Sequence, residues 1–353
     1  ALPIYPWAGS SAIDDGIEPA LIGMPFWVPV NAKVGVMLVD VQVPEQPEVI
    51  RKIESDGYLI SSRRINGRLF VISQFMPEIP PLEIWYDGTE QGRQTAIQSN
   101  RAVLEELTLD EFIPSVTDYD LENSVRKSGR LIPTSRFMRP DPASGGGIVS
   151  VMTVNLDDPQ SDCGTIGFIA DAQTVYASTA SLYLVDTDCP HVAPMNASMP
   201  ANEFITHLYR LSLDAEEVAL EAAGSVEGRV LNQFSLGEHE NVLRVATTTG
   251  TSWDQTLENH VFCLKPEGNQ LNIIGRLDKI ALGETLYAAR FIGDKGFLVT
   301  FVLIDPLFTL DLSDPAAPEI VGELKVPGYS DYIHPLGENH LLTIGKDSLV
   351  DGD

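Results

Sequence analysis

The strongest constraint on this 353-residue chain is that it repeats itself. Met37-Leu38-Val39-Asp40-Val41-Gln42-Val43-Pro44-Glu45-Gln46-Pro47-Glu48-Val49 has a counterpart in Phe308-Thr309-Leu310-Asp311-Leu312-Ser313-Asp314-Pro315-Ala316-Ala317-Pro318-Glu319-Ile320. The offset is 271 throughout, with Asp, both prolines and Glu in register. A shorter echo is Val154-Asn155-Leu156-Asp157-Asp158-Pro159, and weaker ones are Leu208–Leu213 and Val261–Leu264. Equivalent positions in the five segments are 37, 152, 209, 262 and 308, so the last three steps are 57, 53 and 46 residues. A four-stranded propeller repeat takes roughly 40–50 residues. The first step, 115 residues, is one such repeat plus an insertion.

Within each repeat, short runs of Val, Ile, Leu, Phe and Tyr alternate with turns of Gly, Pro, Asn and Asp, the pattern of closely spaced strands. For the last full repeat the spacing predicts strands over 286–292, 296–303, 306–312 and 319–326. The Asp-x-x-Asp-Pro-x-x-Pro turn joins the third to the fourth, because proline fixes φ and cannot donate to a ladder. Asn66-Gly67 is a hairpin signal, since both residues tolerate positive φ. The expected fold is therefore all-β: a β-propeller of four-stranded blades, about five blade equivalents visible, with a small helical insertion. Residues 31–353 form the propeller, interrupted at 77–147 by the insertion, and residues 1–30 are left unplaced. The insertion holds a helix over 94–106 and a capping box, Thr108-Leu109-Asp110-Glu111, opening a second short helix that stops at Pro114. At the ends, residues 34–54 read as the two outer strands of a first blade and 329–346 as the two inner strands of a last one. These halves either complete one blade or belong to a larger ring cut short, and the second is the expectation.

Composition bounds the partners. Twenty-three basic residues stand against 50 acidic ones, for a net charge of −27. That sign repels phosphate backbones, so nucleic acid is excluded as a partner. No run of about 18 apolar residues occurs, so no membrane span is expected in this chain. The acid is concentrated in 141–353, while 51–140 is nearly balanced. Cys163, Cys189 and Cys263 show no zinc spacing. Cys163 and Cys189 sit in polar turns and are a candidate disulfide, with three reduced thiols as the alternative; Cys263 reads as core. No metal motif, phosphate loop or nucleophile elbow is present, and no cofactor is expected.

Further segments carry a family resemblance: Val230-Leu231-Asn232-Gln233-Phe234-Ser235, Leu243-Arg244-Val245-Ala246-Thr247-Thr248, Arg290-Phe291-Ile292-Gly293-Asp294, Asp305-Pro306-Leu307-Phe308 and Pro327-Gly328-Tyr329-Ser330-Asp331-Tyr332-Ile333-His334-Pro335. Over about the last 120 residues the chain resembles bacterial and archaeal secreted proteins with a C-terminal β-propeller domain, distantly related to WD-40 repeats. The resemblance implies a propeller and a secreted or cell-surface location; a signal peptide is not visible in this sequence, and the expectation is that one was removed, lies outside it or never existed. It implies no activity.

Candidate site residues come from the turns. Counting back three residues from Gly67, Gly237, Gly293 and Gly337 gives Arg64, Phe234, Arg290 and His334, on what read as innermost strands. Innermost strands line a propeller channel, so Arg64, Arg290 and His334, with Asp331 and Tyr332, form a candidate site for a carboxylate or phosphate ligand. The alternative is that each arginine pairs with an aspartate such as Asp331 or Asp305. The function expected is an exported, non-enzymatic propeller binding a protein, glycan or small ligand through one face. A propeller hydrolase or lyase at the channel mouth, metal-assisted or not, is the competing expectation.

Overall fold

The computed structural model describes residues 5–6, 32–78, 80–83, 85–120, 124–141, 145–188, 204–213, 217–251, 256–301, 305–326, 328–337 and 340–346. In chain order, β1 (Tyr5–Pro6), β2 (Lys33–Asp40) and β3 (Glu48–Asp56) precede the hairpin of β4 (Tyr58–Ile65) and β5 (Arg68–Phe75). There follow β6 (Trp85–Tyr86), helices α1 (Glu90–Glu106) and α2 (Leu109–Phe112), β7 (Ser115–Tyr119), β8 (Val125–Arg130) and β9 (Phe137–Met138). The rest is strand after strand: β10 (Ile148–Asn155), β11 (Gly164–Ile169), β12 (Thr174–Ala177), β13 (Ser181–Asp188), β14 (Ile205–Ser212) and β15 (Ala219–Glu227). Next come β16 (Leu236–His239), β17 (Val242–Thr249), β18 (Glu258–Glu267), β19 (Gln270–Ile280) and β20 (Thr285–Ile292). The last are β21 (Lys295–Phe301), β22 (Asp305–Asp311), β23 (Glu319–Val326), β24 (Tyr329–Leu336) and β25 (His340–Lys346).

The chain divides into two compact units, 1–59 with 73–136, and 60–72 with 137–353. The second is a succession of four-stranded sheets, the expected blades. They are β4-β5-β10-β11, β12 to β15, β16 to β19 and β20 to β23, followed by the two-stranded β24-β25. The short β9 adds a parallel fifth strand beside β11. The second and third blades graze where Ala223 of β15 pairs with Gln270 of β19. Gly224 permits this approach, since a Cβ there would stand 2.7 Å from the Leu271 carbonyl oxygen.

Blades stack because their strands are apolar on both faces. On β13, Leu182 and Leu184 pack toward Phe70, Val149, Val151 and Phe168 of the preceding blade. The alternate residues Tyr183 and Val185 pack toward Leu243, Val245 and Phe262 of the following one. Cys263 lies in the next such layer with Ala246, Leu286, Leu298 and Leu310, and a smaller layer joins Ala288 and Val299 to Ile333. Two-sided burial suits unbroken apolar runs, whereas a one-sided sheet would alternate.

The 271-residue repeat is also a repeat of bonds. The Asp40 carboxylate accepts the Gln42 N–H at 2.8 Å, and the Asp311 carboxylate accepts the Ser313 N–H at 2.9 Å. Asn155 does the same for Asp157 at 3.0 Å. Each is an Asx turn that starts the corner between the two strands of a hairpin. Register shifts fall at matching places, Leu38/Val39 and Thr309/Leu310.

Three sequence expectations need adjusting. The helix begins at Glu90 rather than 94, because Thr89 caps it, its hydroxyl accepting the Gly92 N–H at 3.0 Å. Gly237 lies inside β16, and the turn after it is Glu240–Asn241, with φ of 50° and 63°. An asparagine at positive φ does there what glycine does elsewhere. Finally, β3, read as an outer strand of a first blade, pairs with β7 of the insertion, giving the order β2-β3-β7-β8 in the first unit. The Asp-Pro corner identifies a hairpin but does not specify its neighbour. Thr108 N–H donates to the Glu111 carboxylate at 2.6 Å, the expected cap of α2. Among the described residues no helix is long and apolar enough to cross a membrane.

Candidate functional site

A cavity of about 350 Å³ in the second unit is lined by residues from the first strands of three successive blades and the hairpin strand β4. Its walls include Arg63 from β4, Tyr176 from β12, Gln233 and Phe234 just before β16, Leu236 to His239 of β16, Arg244 from β17 and Arg290 from β20. Gly237 is required here. A Cβ on it would stand 2.4 Å from the Phe291 Cβ, so β16 reaches β20 only without a side chain.

Three guanidinium groups face this space, and none has a carboxylate partner among the described residues. Arg63 donates to neutral acceptors. Its Nη1 donates to the Ser61 hydroxyl and the Ser62 carbonyl, and its Nη2 to the Val175 carbonyl at 2.9 Å and Gln233 Oε1 at 2.6 Å. Arg244, only 2% exposed, donates from Nη1 to the His239 carbonyl at 2.9 Å and the Val242 carbonyl at 3.4 Å. Its Nε is buried with no hydrogen-bond partner among the described residues. Arg290 lies over the Phe234 ring, 5.0 Å from the centroid. Burial lowers the pKa of Arg63, and also that of Arg244, where it outweighs the opposing pull of Asp294 and Glu240. Arginine nevertheless keeps its charge at any physiological pH.

The acidic groups at this site are already committed. Glu238 accepts from Arg210 Nη2 at 3.2 Å and from the hydroxyls of Ser181 and Ser178. Its own N–H donates to the Tyr176 hydroxyl at 2.8 Å. Burial raises the Tyr176 pKa, so the phenol stays protonated. His239 sits 3.4 Å from the Asp294 carboxylate. Arg210 is shared with Glu221, 3.1 Å away, and Asp294 and Glu240 act on Arg244 from farther off, so the cavity's guanidinium groups lack a directly bonded carboxylate among the described residues although acids stand nearby.

The structure sorts the sequence candidates. Arg290, Tyr332 and His334 come together through Phe234: the Tyr332 ring meets Phe234 edge-on at 5.2 Å and stacks on His334 at 6.1 Å. The Tyr332 hydroxyl and His334 Nδ1 are 3.2 Å apart. Asp331 is exposed, on the alternate side of β24, and forms no ion pair with Arg290. Arg64 is exposed and does not line the cavity; its neighbour Arg63 does. The displacement by one has a simple origin. Gly67 is the second residue of its turn and Gly293 the first, so equal counts reach non-equivalent positions, and one residue flips the face of a strand. Arg244 was legible as a charge inside the apolar run Leu243-Arg244-Val245, a buried-polar signal that counting from turns passes over. Of the candidate disulfide, Cys189 lies outside the described residues. Burial pushes the Cys263 thiol up to about 11, which suits an inert core residue.

One cluster has metal-type donors: Glu227, His260 and Asp278 have ligand atoms within 4.8 Å of one another. Arg276 already bonds both carboxylates, and His260 Nδ1 is 2.9 Å from Asp278. The protein's own cation thus stands between the two carboxylates and offsets one of their two charges.

Residues 15–353 match the model of a family described as a beta propeller domain. An uncharacterized protein of Methanocaldococcus jannaschii is 42% identical over 143 residues, 40% of this chain and 22% of that protein. An uncharacterized protein of Archaeoglobus fulgidus is 46% identical over 142 residues, 40% of this chain and 21% of that protein. The aligned part spans about a fifth of the length of these relatives.

Proposed function

Because the chain belongs to the beta propeller domain family, we propose that it is a non-enzymatic ligand-binding propeller, its ligand an anionic small molecule held at the inner edges of the blades. One observation carries this: Arg63, Arg244 and Arg290 line one cavity without a carboxylate partner among the described residues. Buried charges are ordinarily paired, and an unpaired one marks a place where the partner arrives from outside. The volume, about 350 Å³, falls within the range of small-molecule sites. Support for binding without turnover is that the acid–base groups at hand, Glu238 and His239, are engaged by Arg210 and Asp294.

Thermal unfolding at constant ionic strength tests this directly. Phosphate, sulfate or citrate should raise the midpoint relative to chloride, since a ligand that binds only the folded state stabilises it. No shift with any oxyanion would overturn the proposal. Export is part of the same proposal and rests on the resemblance to secreted propeller proteins. Fractionation of cells expressing the full-length protein checks it: recovery in the cytosol would contradict it.

A further inference from the structure

Two strands each keep an open edge. β2 ends the sheet β2-β3-β7-β8 of the first unit, and β25 ends the two-stranded sheet β24-β25 of the second. Among the described residues β2 pairs with β3 alone and β25 with β24 alone. An open edge is a template for a further strand.

The repeat says which strand each edge is built for. The offset of 271 makes β2 and β3 the counterparts of β22 and β23, with Asp40 in the place of Asp311. The hairpins make β24 and β25 the counterparts of β20 and β21, since Leu336 faces His340 where Ile292 faces Lys295. In the complete blade β21 and β22 pair antiparallel: Lys295 faces Asp311, Gly296 faces Leu310 and Leu298 faces Phe308. The same register on β25 sets His340 against Asp40, Leu341 against Val39 and Thr343 against Met37. A basic group again meets a carboxylate at the end of the ladder. Exposure points the same way. Phe308 and Leu310 are 8% and 0% exposed, packed in one layer with Val261 and Cys263 of the preceding blade. Their counterparts Met37 and Val39 are 56% and 42% exposed. On β25 they would lie toward Leu307, which stands where Val261 stands one blade earlier and is only partly covered.

We propose that β25 of one copy pairs antiparallel with β2 of a second copy, and reciprocally, so that two chains join in a two-fold dimer whose contacts are blades of β24, β25, β2 and β3. The single chain leaves both edges open, and one reciprocal exchange covers both. Such an exchange is closed under two-fold symmetry. The net charge of −27 opposes contact between copies over most of the surface. These two strands are the exception: together they carry one carboxylate, Asp40, beside Lys33, His340 and Lys346.

Sedimentation equilibrium of the whole chain over a range of concentrations tests this. The expected result is a reversible monomer–dimer equilibrium. H340E sets a carboxylate against Asp40 and should weaken the dimer about tenfold, since like charges directly opposite destabilise a ladder and the contact is made twice. D40K should weaken it less. An equimolar mixture of H340E and D40K should recover the parent affinity, because each contact of the mixed dimer again sets a carboxylate against a basic group. M37D, at an exposed position, should weaken the dimer without lowering the unfolding midpoint of the monomer. A chain that stays monomeric at every concentration would overturn the proposal, as would a dimer indifferent to both H340E and M37D. If the parent is monomeric, and H340E lowers its unfolding midpoint while D40K in the same chain restores it, β25 has taken the β2 of its own molecule and the second copy is ruled out.

Discussion

Two arginines in the two units of this molecule are equally buried and oppositely treated. Arg51 and Arg244 are each 2% exposed. Arg51, on β3, makes a two-pronged pair with Asp118 of β7, Nε to Oδ1 at 3.0 Å and Nη2 to Oδ2 at 2.9 Å. Arg244, on β17, has only carbonyls for partners and a buried Nε with none among the described residues. The first arrangement joins two strands and is complete in itself. The second has no directly bonded carboxylate among the described residues, and only the more distant Asp294 and Glu240 oppose its desolvation. Burial alone therefore does not separate a structural charge from a functional one; pairing does.

That contrast can be broken most forcefully at the paired site. D118A leaves Arg51 buried without its carboxylate, and should destabilise the first unit by about 3–5 kcal/mol in urea denaturation. R244M removes a charge that has no carboxylate to lose, and should leave stability within about 1 kcal/mol of the parent, or above it, in the same assay. If R244M proves as destabilising as D118A, the two arginines are alike and the contrast fails. Next in size, G237A places a methyl against Phe291 and should cost about 1–3 kcal/mol by overpacking, while also weakening oxyanion binding as β16 moves from β20.

The smallest effect comes from the exposed network of Arg276, Glu227 and Asp278. Burial by itself would raise the Asp278 carboxyl, but bonds from Arg276 and His260 outweigh it and hold the pKa below the ordinary carboxylate value. A lowered pKa contributes stability that is full above the ordinary value and lost as pH falls through the folded one. D278N should thus cost less than about 1 kcal/mol at neutral pH, the gap to the parent closing below about pH 4. A gap that widens on acidification would contradict the sign.

How much of the molecule was legible in the sequence depends on what each feature rests upon. The Asp-Pro corner is local: side chain, turn and register shift lie close together along the chain, so the repeat can be read from the residues alone. The last full blade falls within a residue or two of expectation at most of its strand ends. The neighbour of β3 is not local. Its edge is taken by β7, some sixty residues on, and nothing in either strand names the other. The site shows the same division. Arg290 followed from a turn, as did the aromatic string through Phe234 to Tyr332 and His334. Arg64 missed Arg63 by one residue because turns of one length differ in which position carries glycine. Arg244 could be picked out as a charge in an apolar run, but its place in the cavity could not, since its neighbours there come from other strands and from the Gln233 turn.

A crystal of the chain grown with citrate would show outright whether the lone arginines wait for a ligand. The expected result is citrate in the cavity, with a carboxylate within hydrogen-bond distance of the Arg290 guanidinium. An Arg244 or Arg290 found instead in a salt bridge to the protein's own acid, Asp305 or Asp331 for example, with no citrate in the cavity, would contradict the assignment.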